Sequence, residues 1–90
     1  MPRVRLSAAF VKSAVCPDGT KKVDFFDSAQ RGFMLEVRRS GGKTYYQRYT
    51  DERGRERQFK IGPADVLSLS VARRKARTTA AEAARIGRGG

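Results

Sequence analysis

The sequence predicts an α+β fold: a three-stranded antiparallel β-sheet, with room for a short extra edge strand, packed against a C-terminal α-helix and preceded by a short N-terminal helix. Three observations carry that prediction. Between residues 32 and 62, three runs alternate with a period of two, which puts every second side chain on one face of a strand. Ser40-Gly41-Gly42 and Asp51-Glu52-Arg53-Gly54 separate those runs with residues that tolerate positive φ, as tight hairpin loops require. After Gly62-Pro63, small apolar residues recur at spacings of three and four, the period of a helix lying close against a sheet.

In chain order, residues 1 to 5 are basic and expected to be loose. Ser7 is placed to cap a short helix, with Leu6 stapled onto Val11. Cys16-Pro17-Asp18-Gly19 stops that helix, because the residue before proline avoids helical geometry and Asp-Gly favours a turn. Val23-Asp24-Phe25-Phe26-Asp27 reads as one small edge strand, with Phe25 or Phe26 leaning on the same core as Phe33. In the first run of the meander Phe33, Leu35 and Val37 oppose Met34, Glu36 and Arg38. In the second, Tyr45, Gln47 and Tyr49 oppose Thr44, Tyr46, Arg48 and Thr50. In the third, Phe59 and Ile61 oppose Gln58 and Lys60, and Gly62-Pro63 then breaks the strand. Ser68 can cap a helix running to about Ile86, with Leu69, Ala72, Ala76, Thr79 or Ala80, and Ala83 as its inward stripe. Arg73, Arg74, Lys75, Arg77 and Arg85 cover much of the remaining circumference, as a solvated face or as auxiliary phosphate contacts. Residues 87–90 read as the start of a flexible linker, which leaves residues 1–86 as one domain.

Composition narrows the function. A chain of 90 residues builds one thin core, with no room for an enclosed active-site cleft beside it. Twenty Lys and Arg against nine Asp and Glu give a net charge of +11, which attracts polyanions; nucleic acid is the first such partner, with an anionic membrane surface or an unselected basic composition as the competing explanations. The single cysteine, Cys16, cannot form an internal disulfide and fits a reducing compartment. Without histidine there is no Ser-His-Asp triad, no Cys-His pair and no imidazole metal ligand. No apolar run approaches the roughly 18 residues of a membrane span, and the start lacks the apolar centre of a signal peptide, so a cytoplasmic location with no membrane span is expected.

Short motifs add little chemistry. Gly42-Lys43-Thr44 looks like the end of a phosphate-binding loop, but that pattern needs glycine where Val37 stands and a helix afterwards; a hairpin turn accounts for it better. Arg31-Gly32-Phe33 opens like an RNA-recognition signature and departs from it at Met34. Asp51-Glu52, and Asp24 with Asp27, read as turn formers or counter-charges to arginine, so no metal and no cofactor is assigned. The informative surface is the outer sheet face: Met34, Glu36, Arg38, Tyr46, Arg48, Thr50, Glu56, Gln58 and Lys60. An ordinary solvated face would look similar, but Arg, Lys, Gln and an outward Tyr46 also suit a β-sheet laid in the major groove, where Arg pairs with guanine and Gln with adenine.

In order and spacing, these features resemble the N-terminal arm-type DNA-binding domain of phage and genomic-island integrases of the tyrosine recombinase family. The resemblance spans nearly the whole chain: the Leu6-Ser7 helix start, Asp27, Gly32-Phe33-Met34-Leu35-Glu36-Val37, Ser40-Gly41-Gly42-Lys43-Thr44-Tyr45, Gln58-Phe59-Lys60-Ile61-Gly62 and Ser68-Leu69-Ser70-Val71-Ala72-Arg73. Gln47, where the family usually has an inward apolar residue, and Ser70-Val71 depart from it. The resemblance implies a sheet that reads arm-type sites in double-stranded DNA during site-specific integration and recombination. It also implies partners in the core-binding and catalytic domains of the same integrase and in other integrase protomers, with the recombinase chemistry beyond Gly90. This segment is then expected to bind and not cut. Arg38, Tyr46, Arg48, Thr50, Gln58 and Lys60 are expected to face DNA, with Arg39 and Lys43 at the first turn and Arg53 and Arg55 at the second holding phosphates. An RNA-binding module and a protein-interaction domain using exposed sheet edges are the alternatives.

Overall fold

In the computed structural model, which describes residues 3–89, seven elements follow one another: β1 (Arg3–Val4), α1 (Ala8–Ser13), β2 (Lys22–Asp27), β3 (Phe33–Arg38), β4 (Lys43–Thr50), β5 (Glu56–Pro63) and α2 (Leu69–Gly89). The fold is α+β, with one mixed sheet of five strands in the order β1-β2-β3-β4-β5 and a C-terminal helix on its inner face. β1 runs parallel to β2, and every other neighbouring pair is antiparallel.

The extra strand expected at residues 23–27 forms as β2, pairing with β3 along its whole length from Lys22 opposite Arg38 to Phe26 opposite Met34, and β1 adds a fifth, unexpected strand. Val23 and Phe25 take the inner face with Val37 and Leu35, while Phe26 takes the outer face with Met34, so both faces of β2 find cross-strand partners. Nor are Arg3 and Val4 loose, contrary to expectation. Arg3 and Val4 pair with Phe26 and Asp27, and the Ser28 amide donates to the Val4 carbonyl at 2.8 Å, which covers the free edge of β2.

Ser7 caps α1 as expected, its hydroxyl accepting from the Phe10 amide at 3.1 Å, and Leu6 and Val11 are both buried in the core. The helix ends at Ser13, short of the Cys16-Pro17 stop, where Ala14 turns extended. β5 also differs from expectation: it continues through Gly62 and Pro63, which lie opposite Tyr45 and Thr44 beyond a register shift. Gly62 makes this possible, since its φ is +155 and a Cβ there would meet Leu67 Cδ1 at 2.5 Å. Pro63 closes an edge strand, where no ladder donor is missed.

Ser68 caps α2, its hydroxyl accepting from the Val71 amide at 3.3 Å and its carbonyl from the Ala72 amide at 2.9 Å. α2 runs to Gly89, past the Ile86 expected. The side chains of Ala80, Ala83 and Arg85, and all of Met1, Pro2 and Gly90, lie outside the described residues. Ala72 and Ala76 are fully buried, so the helix approaches β4 and β5 closely over Phe33, Leu35, Val37 and Tyr45, whose rings at Phe33 and Tyr45 stack 5.4 Å apart. Gln47 is also buried on this face; its amide nitrogen donates to the carbonyls of Arg31 (3.1 Å) and Arg48 (2.8 Å), tying down the β2–β3 turn.

One polar cluster fastens the layers together. The Asp27 carboxylate, fully buried, accepts from the amides of Leu6 (3.2 Å) and Ala29 (3.1 Å) and from Arg73 Nε (2.9 Å). Arg73 Nη2 reaches the Leu6 carbonyl at 2.8 Å, and the Arg73 carbonyl accepts from Gln30. Arg73 is therefore not part of a solvated face but the tie between α2, the N-terminal segment and the β2–β3 turn.

Candidate nucleic-acid interface

The register turns the outer face of the sheet into transverse rows. Lys22 and Arg38 form the first; Asp24, Glu36 and Thr44 the second; Arg3, Phe26, Met34, Tyr46 and Lys60 the third; Arg48 and Gln58 the fourth; Thr50 and Glu56 the fifth. Helix α2 packs on the opposite face, so these rows lie clear of it.

The rows differ in what they leave available. Lys22 contacts both carboxylates of the second row, Asp24 at 3.7 Å and Glu36 at 3.4 Å, and Asp24 foremost holds the Lys22 ammonium pKa above its ordinary value. Arg38 Nη1 donates to Glu36 Oε1 and to Thr44 Oγ1, both at 2.9 Å. Thus Arg38, an expected reader, is half-occupied by its own sheet, and Glu36 is buried to 8% exposure. Met34, assigned to a polar face by its position in the alternation, is fully buried because Phe26 and Tyr46 flank it. Tyr46 and Arg48 remain half-exposed, and Thr50, Gln58 and Lys60 are exposed. Polar groups available to a partner are therefore concentrated on β4 and β5.

The turn cations divide as well. Arg39, Arg53 and Arg55 are exposed. The second turn is built on Asp51, whose Oδ1 accepts from the amides of Arg53 and Arg55 at 2.9 Å each, while Oδ2 pairs with Arg57 Nε at 3.1 Å and lies 3.7 Å from Arg55 Nε. The Arg55 amide first, with Arg57 and Arg53 helping, holds the Asp51 carboxyl below its ordinary pKa. Lys43 departs from the expected role at the first turn. It shares the inner face with Tyr45, and its ammonium caps the end of α1, donating to the carbonyls of Val11 (2.7 Å) and Lys12 (3.0 Å). That engagement inside the fold turns it away from the outer face.

Sequence reasoning missed Phe26 and Lys22 as outer-face residues, although alternation through residues 22–27 carries the signal. Phe26 matters because the Arg48 guanidinium lies 4.9 Å over its ring, a cation–π contact that draws Arg48 towards β2 and away from Gln58 on β5. Among the described residues, no group of His, Cys, Asp and Glu is arranged to hold a metal ion, and no helix is long and apolar enough to cross a membrane.

Residues 6–88 match the family model of the Arm DNA-binding domain, the arm-type DNA-binding domain found in phage integrases. The chain belongs to this family. No curated protein matches it. Membership supports DNA as the partner, and an arm DNA-binding domain is non-catalytic. In this arm domain the helix α2 packs on Phe33, Leu35 and Val37 at the inner face of the sheet.

Proposed function

We propose that this arm domain reads arm-type sites in duplex DNA during site-specific integration, with the outer face of β4 and β5 laid in the major groove and β3 alongside. The observation that carries the reading is the pairing of Tyr46 with Lys60 and of Arg48 with Gln58 on a face that neither helix covers. Two antiparallel strands form a ribbon that the B-DNA major groove admits. Within it, the Gln58 amide suits the N6 and N7 positions of adenine, Lys60 suits guanine, and Tyr46 offers a ring to a thymine methyl or a hydroxyl to a phosphate. Thr50 and Arg38 border the same surface, and Arg39, Arg53 and Arg55 hold the backbone at the turns. Lys43 is left out of this set. The parent protein in this reading is a tyrosine recombinase acting in the cytoplasm on the nucleoid, whose other domains and protomers are further partners.

The test selects a preferred duplex from a randomised pool and compares it with unselected duplex. Gln58→Ala is expected to cost roughly 1–3 kcal/mol on the selected site and little on random sequence. Unchanged discrimination in both Gln58→Ala and Lys60→Ala would refute the groove reading. Wild-type binding is expected to weaken with salt at a log-log slope on the order of −5, for about six phosphate contacts.

A further inference from the structure

At the end of the outer face where β1, the β2–β3 turn and β4 meet, a cleft of about 530 Å³ is lined by Arg3, Phe26, Arg31, Gly32, Arg48 and Glu56, among others. Three guanidinium-bearing residues thus converge from three separate elements, against one carboxylate. β1 brings Arg3 by pairing it with Phe26. The turn brings Arg31, because Gly32 adopts φ +83 and closes on β4, its carbonyl accepting from the Arg48 amide at 2.8 Å. A Cβ on Gly32 would meet Arg48 O at 2.6 Å and run into Gln47 Nε2, so only glycine allows this approach. Arg48 is already placed, its guanidinium carbon 4.9 Å from the centroid of the Phe26 ring.

We infer that this cleft is a phosphate clamp that grips the backbone of the bound DNA strand, and that Arg48 belongs to the clamp and not to base reading. The inference rests on the DNA reading proposed above and adds to it a place and a division of labour. A phosphodiester offers two non-bridging oxygens and one negative charge, which guanidinium forks match better than any other side chain. The cleft opens beside the row that carries Gln58 and Arg48, so a strand whose bases meet Gln58 passes its backbone along the rim. Because the Arg48 guanidinium is stacked towards β2, it grips the strand without seeing base edges, and its loss weakens binding to every sequence alike.

Salt titrations of the whole domain on mixed-sequence duplex test this. Arg31→Ala and Arg48→Ala are each expected to reduce the log-log slope by about 1, while Arg57→Ala, which removes an inner-face cation paired with Asp51, leaves it unchanged. Glu56→Gln, an exposed position that keeps the fold, is expected to tighten binding roughly threefold at low salt by removing one repulsive charge near the phosphate. On the selected duplex, neutral methylphosphonate linkages are expected to weaken wild-type binding at a backbone position where Arg31→Ala no longer responds. Unchanged slopes in both arginine variants together with unchanged affinity in Glu56→Gln would overturn the clamp, and loss of discrimination in Gln58→Ala would then leave the groove reading standing. A sequence-selective defect in Arg48→Ala would return that residue to base reading and overturn its assignment here. Binding to phosphatidylglycerol vesicles that depends on Arg31, with no change of slope on duplex, would give the cleft to a lipid headgroup and also overturn the clamp.

Discussion

Replacing Asp27 by alanine isolates the contact on which the two layers hang. The carboxylate is fully buried and serves three donors, the Leu6 and Ala29 amides and Arg73 Nε. Its removal leaves two amides without acceptors and a three-quarters buried guanidinium without a counter-charge. Breaking a buried pair from one side costs about 3–5 kcal/mol, since the survivor stays desolvated. A domain of this size is stable by roughly 5–13 kcal/mol, so one substitution removes a large share. With a urea dependence of about 1 kcal/mol per molar, the midpoint is expected to fall by about 3–5 M. The double variant Asp27→Ala, Arg73→Met leaves no uncompensated charge and is expected to lose at least ~1 kcal/mol less than the two single losses added. A midpoint shift of less than about 0.5 M for Asp27→Ala, measured by circular dichroism, would mean that the Asp27–Arg73 tie does not hold the layers together.

Lys43→Met is expected to cost about 1.5–3 kcal/mol of stability through its lost bonds to the end of α1, with little effect on the salt slope of DNA binding; a slope change equal to that of Arg31→Ala would return Lys43 to the DNA face. Gly32→Ala is expected to lose at least about 2 kcal/mol, read by thermal melting, because a left-handed backbone and a crowded Cβ act together. Burial pushes the Tyr45 phenol up in spite of Arg73, and Asp24 pushes Lys22 up, so above about pH 10 the unfolded chain releases these protons first. Stability is therefore intact below that pH and falls above it, and Tyr45 is expected to ionise, by absorbance, at a higher pH than an ordinary tyrosine. Asp51 has the opposite sign: its depressed carboxyl supports the second turn above about pH 4 and loses that support as pH falls, so an NMR titration midpoint at or above the ordinary value would contradict the turn geometry.

The meander was legible because alternation and two glycine turns are local signals, and the faces of β3, β4 and β5 follow from them. Lys43 was legible too, since it stands two residues before Tyr45 and shares its face, but a charge beside a glycine turn drew attention to solvent. β2 was undervalued because a five-residue apolar cluster has no sequence mark of how many neighbours it will pair with; that depends on β3 and on the two residues of β1. Arg73 could not be read at all. It sits in a run of cations on α2, and what distinguishes it from Arg74 is Asp27, 46 residues earlier. Likewise Arg38 and Arg48 look alike in the chain, and what separates their surroundings is Glu36 on the same strand with Thr44 on β4 for one, and Phe26 on β2 for the other.

From the sequence separations of its contacts, this domain is expected to assemble on two time scales. Strands β2 to β5 pair with their neighbours in sequence, the kind of local closure that proceeds early and quickly. The Asp27–Arg73 and Leu6–Arg73 contacts join residues 46 and 67 positions apart and close only when α2 docks on a formed sheet. Interactions absent from the folding transition state act on the unfolding rate, so loosening this tie is expected to shorten the lifetime of the folded domain while leaving its refolding rate nearly untouched. On that expectation Asp27 sets how long the folded domain lasts, and the hairpins set how soon it first assembles.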